Sequence, residues 1–382
     1  ASCLYNGLNS TTYTSMVIIY PLIGGPVQHS IICFTMKIAV GLSGGIDSTV
    51  SLLRLKEEGH HVTAVFLNML PEGEYQEKTC CSVDSQLLAK RVAMNQGVPF
   101  EVWDLTETFQ KHVINIFKAM VKKGLTPNPC VFCNRCVKIG AFVELAMQKG
   151  FDAVATGHYA RQREGNLYKA IDSWKDQSYM LALVEKQVLA KVLFPLGELT
   201  REEVISYAHS HGIKHVPRSS QDICFMPHGG MEQFITQNIS EVTKPGPIIF
   251  RGHIIGEHRG YPYYTVGQRR GLGVAHREPL YVKKIDPISN TVHVGTSEEL
   301  FSEHMTVVMM NQFSALTRQV EIKIRYRAHS VPAFVEQSNE PILSVRFSQP
   351  VRAITPGQIA VAYEGDKVQW AGIILNARTT KE

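Results

Sequence analysis

Apolar and polar positions follow two different periods along the chain. In the first half, short apolar runs give way to stretches with helical spacing. Lys37 to Val40 reads as a buried strand, and Val50, Leu52, Leu53 and Leu55 then recur on one helical face. Val62 to Phe66 predicts a second strand, Asp84 to Asn95 a helix closed by Gly97, and Phe100 to Leu105 a third strand. A helix from Glu107 to Val121 and a strand from Asp152 to Ala155 continue the series, and Thr200-Arg201-Glu202-Glu203 fits a capping box opening a helix to His209, with Gly212 at its end. Such alternation predicts a parallel sheet covered by helices, with ligands at the carboxyl ends of its strands.

Beyond Pro217 the helical period fades. Gly, Pro and Tyr become dense from Gly246 to Gly273, as in a small turn-rich module. From Pro279 the pattern changes to period-two segments, among them Tyr281 to Ile285, Val320 to Ile324 and Ile342 to Phe347, which indicates an antiparallel barrel or sandwich. The expected organisation is an appended segment without order over 1–35, an α/β parallel-sheet domain over 36–210, a central module over 211–274 and a β-barrel over 275–382.

Composition narrows the class. A chain of 382 residues with 44% hydrophobic and 19% charged residues is ordinary for a folded soluble protein of two or three domains. A net charge of +5 permits a nucleic-acid partner without requiring one. Residues 1–35 hold no Lys, Arg, Asp or Glu, so the positive start of a secretory signal is missing, and Pro21, Gly24, Gly25 and Pro26 interrupt their apolar stretches. Met36 looks like the natural start of the fold. Of the eight cysteines, five are clustered, as Cys80-Cys81 and as Cys130, Cys133 and Cys136, and beyond residues 1–35 only Cys224 stands apart. Clustered thiols point to a reducing cytoplasm and to chemistry or metal.

The stretch that joins the first strand to the first helix, Gly41-Leu42-Ser43-Gly44-Gly45-Ile46-Asp47-Ser48, has the make-up of a phosphate site. Its glycines let the backbone approach an anion, Ser43 and Ser48 offer hydroxyls, and the first helical amides have no intrahelical partner. Asp47 beside polyphosphate makes sense with Mg²⁺ between them. The lysine of a Walker A loop is absent, as is G-x-G-x-x-G. What remains, S-G-G-x-D-S, resembles the PP-loop of ATP pyrophosphatases, which adenylate a substrate oxygen and release pyrophosphate.

Cys130, Cys133 and Cys136 lie three apart, which a regular helical turn would bring to one face. The spacing suits a metal or iron–sulfur site, a redox pair, or a nucleophile with bystanders. Around them Lys111, Lys118, Lys122, Lys123, Arg135 and Lys138 occur without an acidic residue, a basic face that would lower thiol pKa or simply meet solvent. A second basic stretch, Arg251, Arg259, Arg269, Arg270 and Arg277, is interleaved with Tyr261, Tyr263 and Tyr264. That combination suits phosphate contacts and base stacking, and equally a tyrosine-filled core.

Together, Ser-Gly-Gly-Ile-Asp-Ser at 43–48, Thr-Pro-Asn-Pro-x-x-x-Cys-Asn at 126–134, Ala-Thr-Gly-His-Tyr-Ala at 155–160, Lys-Asp-Gln-Ser-Tyr at 175–179, Phe-Pro-Leu-Gly at 194–197, Ser-Gln-Asp-Ile-Cys-Phe at 220–225 and Tyr-Thr-Val-Gly-Gln-Arg at 264–269 resemble the tRNA-uridine 2-sulfurtransferases. The likeness runs in order from Met36 to near the C-terminus. It implies a PP-loop domain of the adenine nucleotide alpha-hydrolase type, a central module and a tRNA-gripping barrel, which together thiolate C2 of the wobble uridine. By that resemblance Gly41 to Ser48, Leu67 and Gly157 would hold ATP with Mg²⁺, Asn128, Pro129 and Cys130 would meet the target base, Cys133 would be the nucleophile and Cys224 would carry a persulfide. His158, Lys175, Asp176, Gln177, Arg325, Tyr326 and Gln358 would touch tRNA. A sulfur carrier or cysteine desulfurase would supply sulfur, and a disulfide between the two catalytic thiols would close the cycle. Many members of the family carry Asp where this chain has Cys130. With Cys130 in place the loop is C-x-x-C, and members of this type resemble [4Fe–4S] proteins, whose ligands here would be Cys130, Cys133 and Cys224, with Cys136 spare. The rival readings are an amidotransferase-linked PP-loop synthetase using ammonia, which needs no paired thiols, and a non-catalytic RNA-binding protein with a structural metal in the cysteine loop, which would tolerate Asp47→Ala.

Overall fold

A computed structural model describes residues 35–70, 82–213, 223–227 and 230–378. Residues 1–34, Cys80, Cys81 and the Ser220-Gln221-Asp222 part of the cysteine motif lie outside the described residues. The strand and helix signals of the first half become β1 (Lys37–Gly41), α1 (Ile46–Glu57), β2 (His61–Asn68), α2 (Val83–Asn95) and β3 (Phe100–Asp104). Two helices, α3 (Thr106–Phe109) and α4 (Asn115–Lys122), are joined by a wide π-helical turn. They precede the five-residue α5 (Pro129–Cys133), a second π stretch (Asn134–Ala141), α6 (Phe142–Gln148) and β4 (Ala153–Ala155). A hairpin of β5 (Arg161–Arg163) and β6 (Asn166–Tyr168), the short α7 (Ser178–Leu181) and α8 (Lys186–Leu189), β7 (Val192–Leu193) and α9 (Arg201–Ser210) complete the region.

These strands pair in parallel in the order β3-β2-β1-β4-β7. Ile38, Val40, Ala64 and Phe66 pack against Leu52 and Leu55 of α1 and Ala89 and Ala93 of α2, the near-continuous apolar runs of strands covered on both faces. The order changes direction at β1, with β2 on one side and β4 on the other. A crevice therefore opens beyond the carboxyl ends of β1 and β4, where an open α/β sheet binds ligands.

α10 (Gly230–Asn238) leads into β8 (Gly246–Phe250), β9 (His253–His258), β10 (Tyr281–Asp286) and β11 (Thr291–Gly295), which form a second sheet in the order β10-β11-β8-β9. Tyr281 to Ile285 pairs here rather than in the barrel, because β11 lies parallel to β8 and Val282, Val292 and Val294 share a core with Ile248, Tyr261 and Tyr264. The two tyrosines are thus core of the small module, and period-two alternation announces a strand without saying which sheet it joins.

Six strands follow, β12 (Phe301–Gln312), β13 (Gln319–Lys323), β14 (Val331–Asn339), β15 (Ile342–Arg352), β16 (Ile359–Glu364) and β17 (Lys367–Arg378). They pair antiparallel in the order β12-β15-β14-β13-β16-β17, and β12 also pairs with β17, closing a barrel around Val307, Val345, Phe347, Trp370 and Ile374. The hairpin strand β6 joins the outside of β17 at Tyr168 and Lys367, so the first domain and the barrel share a seam.

Candidate active site

Gly41 ends β1 in register with Val65 of β2, while Val40 faces Ala155 of β4. Two loops consequently leave the sheet side by side, Leu42 to Gly45 and Thr156 to Tyr159. Gly44 takes a left-handed φ of 75°, which turns the chain into α1. The Ser48 hydroxyl accepts from the Ser43 amide at 3.2 Å and donates to the Gly45 carbonyl at 3.0 Å, bracing the loop from inside. Gly157 lies against the start of α1 so closely that a Cβ would stand 2.8 Å from the Ser48 nitrogen. The phosphate-loop residues and Gly157, 109 positions beyond Ser48 in the chain, are therefore brought together, and Leu67 lies near the end of β2 on the same sheet edge.

Asp47 sits in the first turn of α1, where side chains lean toward the helix N-terminus. The Tyr159 hydroxyl donates to its Oδ1 at 3.0 Å, and Arg201 Nη1 bonds the same oxygen. Burial, reinforced by the Asp47 charge, raises the Tyr159 phenol well above its usual range, so it acts as a donor. Arg201 is the functional candidate that sequence reading missed: its only sequence signal is a place in a capping box, which the structure contains, Thr200 accepting from the Glu203 amide. As a partly exposed carboxylate beside a phosphate loop, Asp47 fits Mg²⁺, which needs one or two protein oxygens and takes the rest from phosphate and water.

The cysteine loop begins α5 with ordinary helix-start chemistry. Asn128 caps it by accepting from the Cys130 amide at 3.2 Å, and Pro129 fills the first position, where a missing N–H costs nothing. Cys130 is exposed, whereas Cys133 and Cys136 are buried and Cys224 lies between those extremes. The three closely spaced cysteines do not share one environment: Cys130 and Cys133 lie in α5, one exposed and one buried, and Cys136 lies buried in the π stretch that follows from Asn134. Cys224 is anchored by its neighbour Phe225, whose ring meets Phe109, Phe117 and Phe234 at centroid distances of 5.9, 5.5 and 5.4 Å. Among the described residues no three His, Cys, Asp or Glu side chains are grouped to hold a metal ion. Cys130, Cys133 and Cys224 as described do not fit a cluster.

Of the residues expected at tRNA, Asp176, Arg325, Tyr326 and Gln358 lie along the seam between sheet domain and barrel, and His158, Lys175 and Gln177 lie within the sheet domain. Gln177 pairs with the backbone of Tyr159, accepting from its amide at 3.0 Å, and Asp176 is buried, accepting from the Ala170 and Ser178 amides at 3.1 Å each. Lys175 follows the turn that presents Trp174, 95% exposed. Arg325 donates to the Ala353 carbonyl and the Thr355 hydroxyl, Tyr326 lies 6.2 Å from Tyr179 ring to ring, and Gln358 Nε2 donates to the Thr126 carbonyl at 2.9 Å. His158 Nδ1 is 2.9 Å from the Thr156 hydroxyl, and burial, aided by the Lys138 charge, pushes its imidazole down to about 3. Several cations of the two basic stretches are already paired, Lys122 with Glu241, Arg135 with Glu185, Arg251 with Glu299 and Arg259 with Glu232. Arg269, His276 and Arg277 instead line a cavity of about 380 Å³ in the central module.

Among the described residues no helix is long and apolar enough to cross a membrane. Three family models match in succession: a tRNA methyl transferase HUP domain over residues 36–228, a tRNA methyl transferase PRC-barrel domain over 232–296 and an aminomethyltransferase beta-barrel domain over 297–374. A tRNA-specific 2-thiouridylase MnmA of Chloroflexus aurantiacus is 40% identical over 356 residues, 88% of this chain and 98% of that protein. Its counterpart from Treponema denticola is 41% identical over 361 residues, covering 89% and 98%. A solved 4-thiouridine synthetase–RNA complex with bound ATP is 18% identical over 54% of this chain and 51% of that one, at a TM-score of 0.32, too slight a likeness to bear on the reaction.

Proposed function

The chain belongs to the tRNA-specific 2-thiouridylase family, and from that premise we propose that it is an ATP-dependent tRNA sulfurtransferase that converts the wobble uridine to 2-thiouridine. The observation that carries the reading is the joining of the Gly41–Ser48 loop and Gly157 at the open start of α1, in the crevice beyond β1 and β4.

A uracil C2 oxygen is a poor leaving group. Adenylation by ATP at the PP-loop, with pyrophosphate released, makes it one, and Mg²⁺ held by Asp47 and the phosphates supplies charge neutralisation when bound. The terminal sulfur of a Cys224 persulfide then attacks C2, and AMP departs with the former oxygen. The Cys133 thiolate attacks the Cys224 sulfur, which forms a Cys133–Cys224 disulfide and frees the thiolated base with the electron pair of the broken S–S bond. A thiol reductant reduces the disulfide back to the Cys133 and Cys224 thiols, itself becoming oxidised, and a sulfur carrier or cysteine desulfurase then reloads Cys224 with persulfide sulfur. Asn128, Pro129 and Cys130 border the target base, which leaves its stack cheaply in an anticodon loop. His158, Lys175, Gln177 and Tyr326 face tRNA, while Asp176, Arg325 and Gln358 hold the seam on which it rests. No step runs through an iron–sulfur cluster. Thiol chemistry and a tRNA substrate support a cytoplasmic protein, in which the sheet domain is followed by a central module that includes β10 and β11 and by a barrel that begins at β12.

The test is thiolation of an unmodified tRNA anticodon stem-loop by the purified chain with ATP, Mg²⁺ and a persulfide donor, iron being assayed in parallel. Thiolated uridine from iron-free protein, lost in Cys133→Ser, Cys224→Ser and Asp47→Asn, is the expected result. Product that tracks iron content would replace the persulfide route with the cluster, and absence of thiolated uridine under all conditions would end the assignment.

A further inference from the structure

The phosphate loop poses a charge problem. ATP brings about four negative charges at neutral pH, a helix N-terminus offers the equivalent of roughly half a positive charge, and Gly41 to Ser48 contain no Lys or Arg but do contain an acid, Asp47. A Walker A loop solves this with its own lysine. Here the side-chain cation comes from elsewhere in the chain. Arg201 reaches from the first turn of α9 to Asp47, and its Nη1 also lies 3.3 Å from the Tyr159 hydroxyl. Since Asp47 leans toward the open end of α1, the guanidinium on it stands at the mouth of the phosphate site.

We infer that Arg201 is a pyrophosphate-binding residue of this loop, gripping the β- and γ-phosphates of ATP and the pyrophosphate that adenylation releases. The inference rests on the PP-loop reading above and adds to it a residue from outside the loop. Its placement is built in. The Arg201 amide donates to Asp172 Oδ2 at 2.9 Å, the capping box fixes the helix start, and Val204 and Ala208 of α9 pack with Val50 of α1. A guanidinium carries five N–H donors in a planar fork suited to phosphate. A purely structural role explains less: the Asp47 and Arg201 side chains keep 37% and 19% of their surface exposed, and pairs open to solvent contribute little stability. Direct binding to the outer phosphates predicts a loss of ATP, and not of AMP, that persists without Mg²⁺, whereas bracing Asp47 would act only through the Mg²⁺ that Asp47 shares with the phosphates.

Equilibrium binding of ATP and AMP to the full chain, with and without Mg²⁺, tests this. Arg201→Met should weaken ATP by about 10- to 100-fold, as loss of one or two charge-assisted bonds requires, and leave AMP within about twofold. Unchanged ATP affinity, or equal weakening of ATP and AMP, would overturn the inference. Should the methionine variant not fold, competition by inorganic pyrophosphate and by AMP against labelled ATP decides the matter in wild type and Arg201→Lys, which keeps the charge but loses the fork. Pyrophosphate weakened by at least about threefold with AMP unmoved supports the role, and equal competition overturns it. A wild-type chain that binds neither nucleotide would sink the PP-loop reading itself, a failure distinct from that of Arg201.

Discussion

His158 shows how one side chain reports on the packing around it, between the Thr156 hydroxyl and the Phe194 ring. Burial pushes its imidazole down to about 3, whereas an unfolded chain titrates near 6.5. Between those values the unfolded state takes up a proton that the folded state refuses, so stability falls as pH drops from about 6.5 toward about 3. Full burial would cost about 2 kcal/mol at pH 5, and the partly exposed ring reduces that to about 1 kcal/mol. Urea unfolding at pH 7.5 and pH 5.0 should show His158→Gln losing less stability than wild type on acidification. An equal loss would mean that the native ring titrates as freely as the unfolded one. The residue scale is also where the sequence told least about one functional partner. Asp47 stood out because an acid in a phosphate loop is unusual, but its partner Arg201 lies 154 positions away in an ordinary helix start, and no local pattern joins the two.

Elements were legible wherever period and caps act locally. The capping box of α9, the glycine after α2 and the strands β1 to β4 of the first sheet follow from spacing alone, as does the glycine turn between β1 and α1, whereas the two-residue β7 at the sheet edge carries no period to read. The cysteine loop was legible in chemistry but not in shape. Asn128 and Pro129 start a helix where the sequence reads only as a motif, and the π winding that follows from Asn134 accommodates Gly140, where a Cβ would collide with the Arg135 carbonyl. The strand of chain feeding this loop is held from two sides. Tyr261 of the central module donates to the Lys122 carbonyl at 2.6 Å, and the barrel turn takes the Thr126 amide on the Pro356 carbonyl at 2.9 Å while Gln358 donates to the Thr126 carbonyl. Gly357 packs so tightly there that a Cβ would lie 2.7 Å from the Thr126 nitrogen. Gln358→Ala should therefore slow single-turnover thiolation by about tenfold, through misplacement of Asn128 to Cys133, and leave stem-loop affinity within about twofold. Lost affinity with an unchanged rate would show that Gln358 reaches the RNA itself.

At the scale of the whole molecule, the first domain and the barrel are joined by buried contacts that no periodicity announces. β6 extends the barrel sheet at β17, Arg161 pairs with Asp366 at 2.8 Å, and Asn311 of β12 donates to the Ala182 and Val184 carbonyls at 2.9 and 2.7 Å. Beneath them the Tyr179 hydroxyl donates to the Ile359 carbonyl at 2.9 Å, and the Ser178 hydroxyl lies 3.1 Å from that of Tyr363. Every one of these links joins residues far apart in sequence, which is why the domains could be read as separate patterns but their union could not. A seam of this kind couples unfolding, because separating barrel from sheet domain breaks the Tyr179–Ile359 bond and the Ser178–Tyr363 contact together. Calorimetry of the full chain should show sheet domain and barrel melting in one transition. Tyr179→Phe, which removes one hydroxyl from the seam and no ring packing, should cost about 1–2 kcal/mol and lower that single transition as a whole. Two separated transitions, or a variant that moves only one of them, would mean the barrel is a tethered module, and tRNA bound on it could then act on the PP-loop only by proximity.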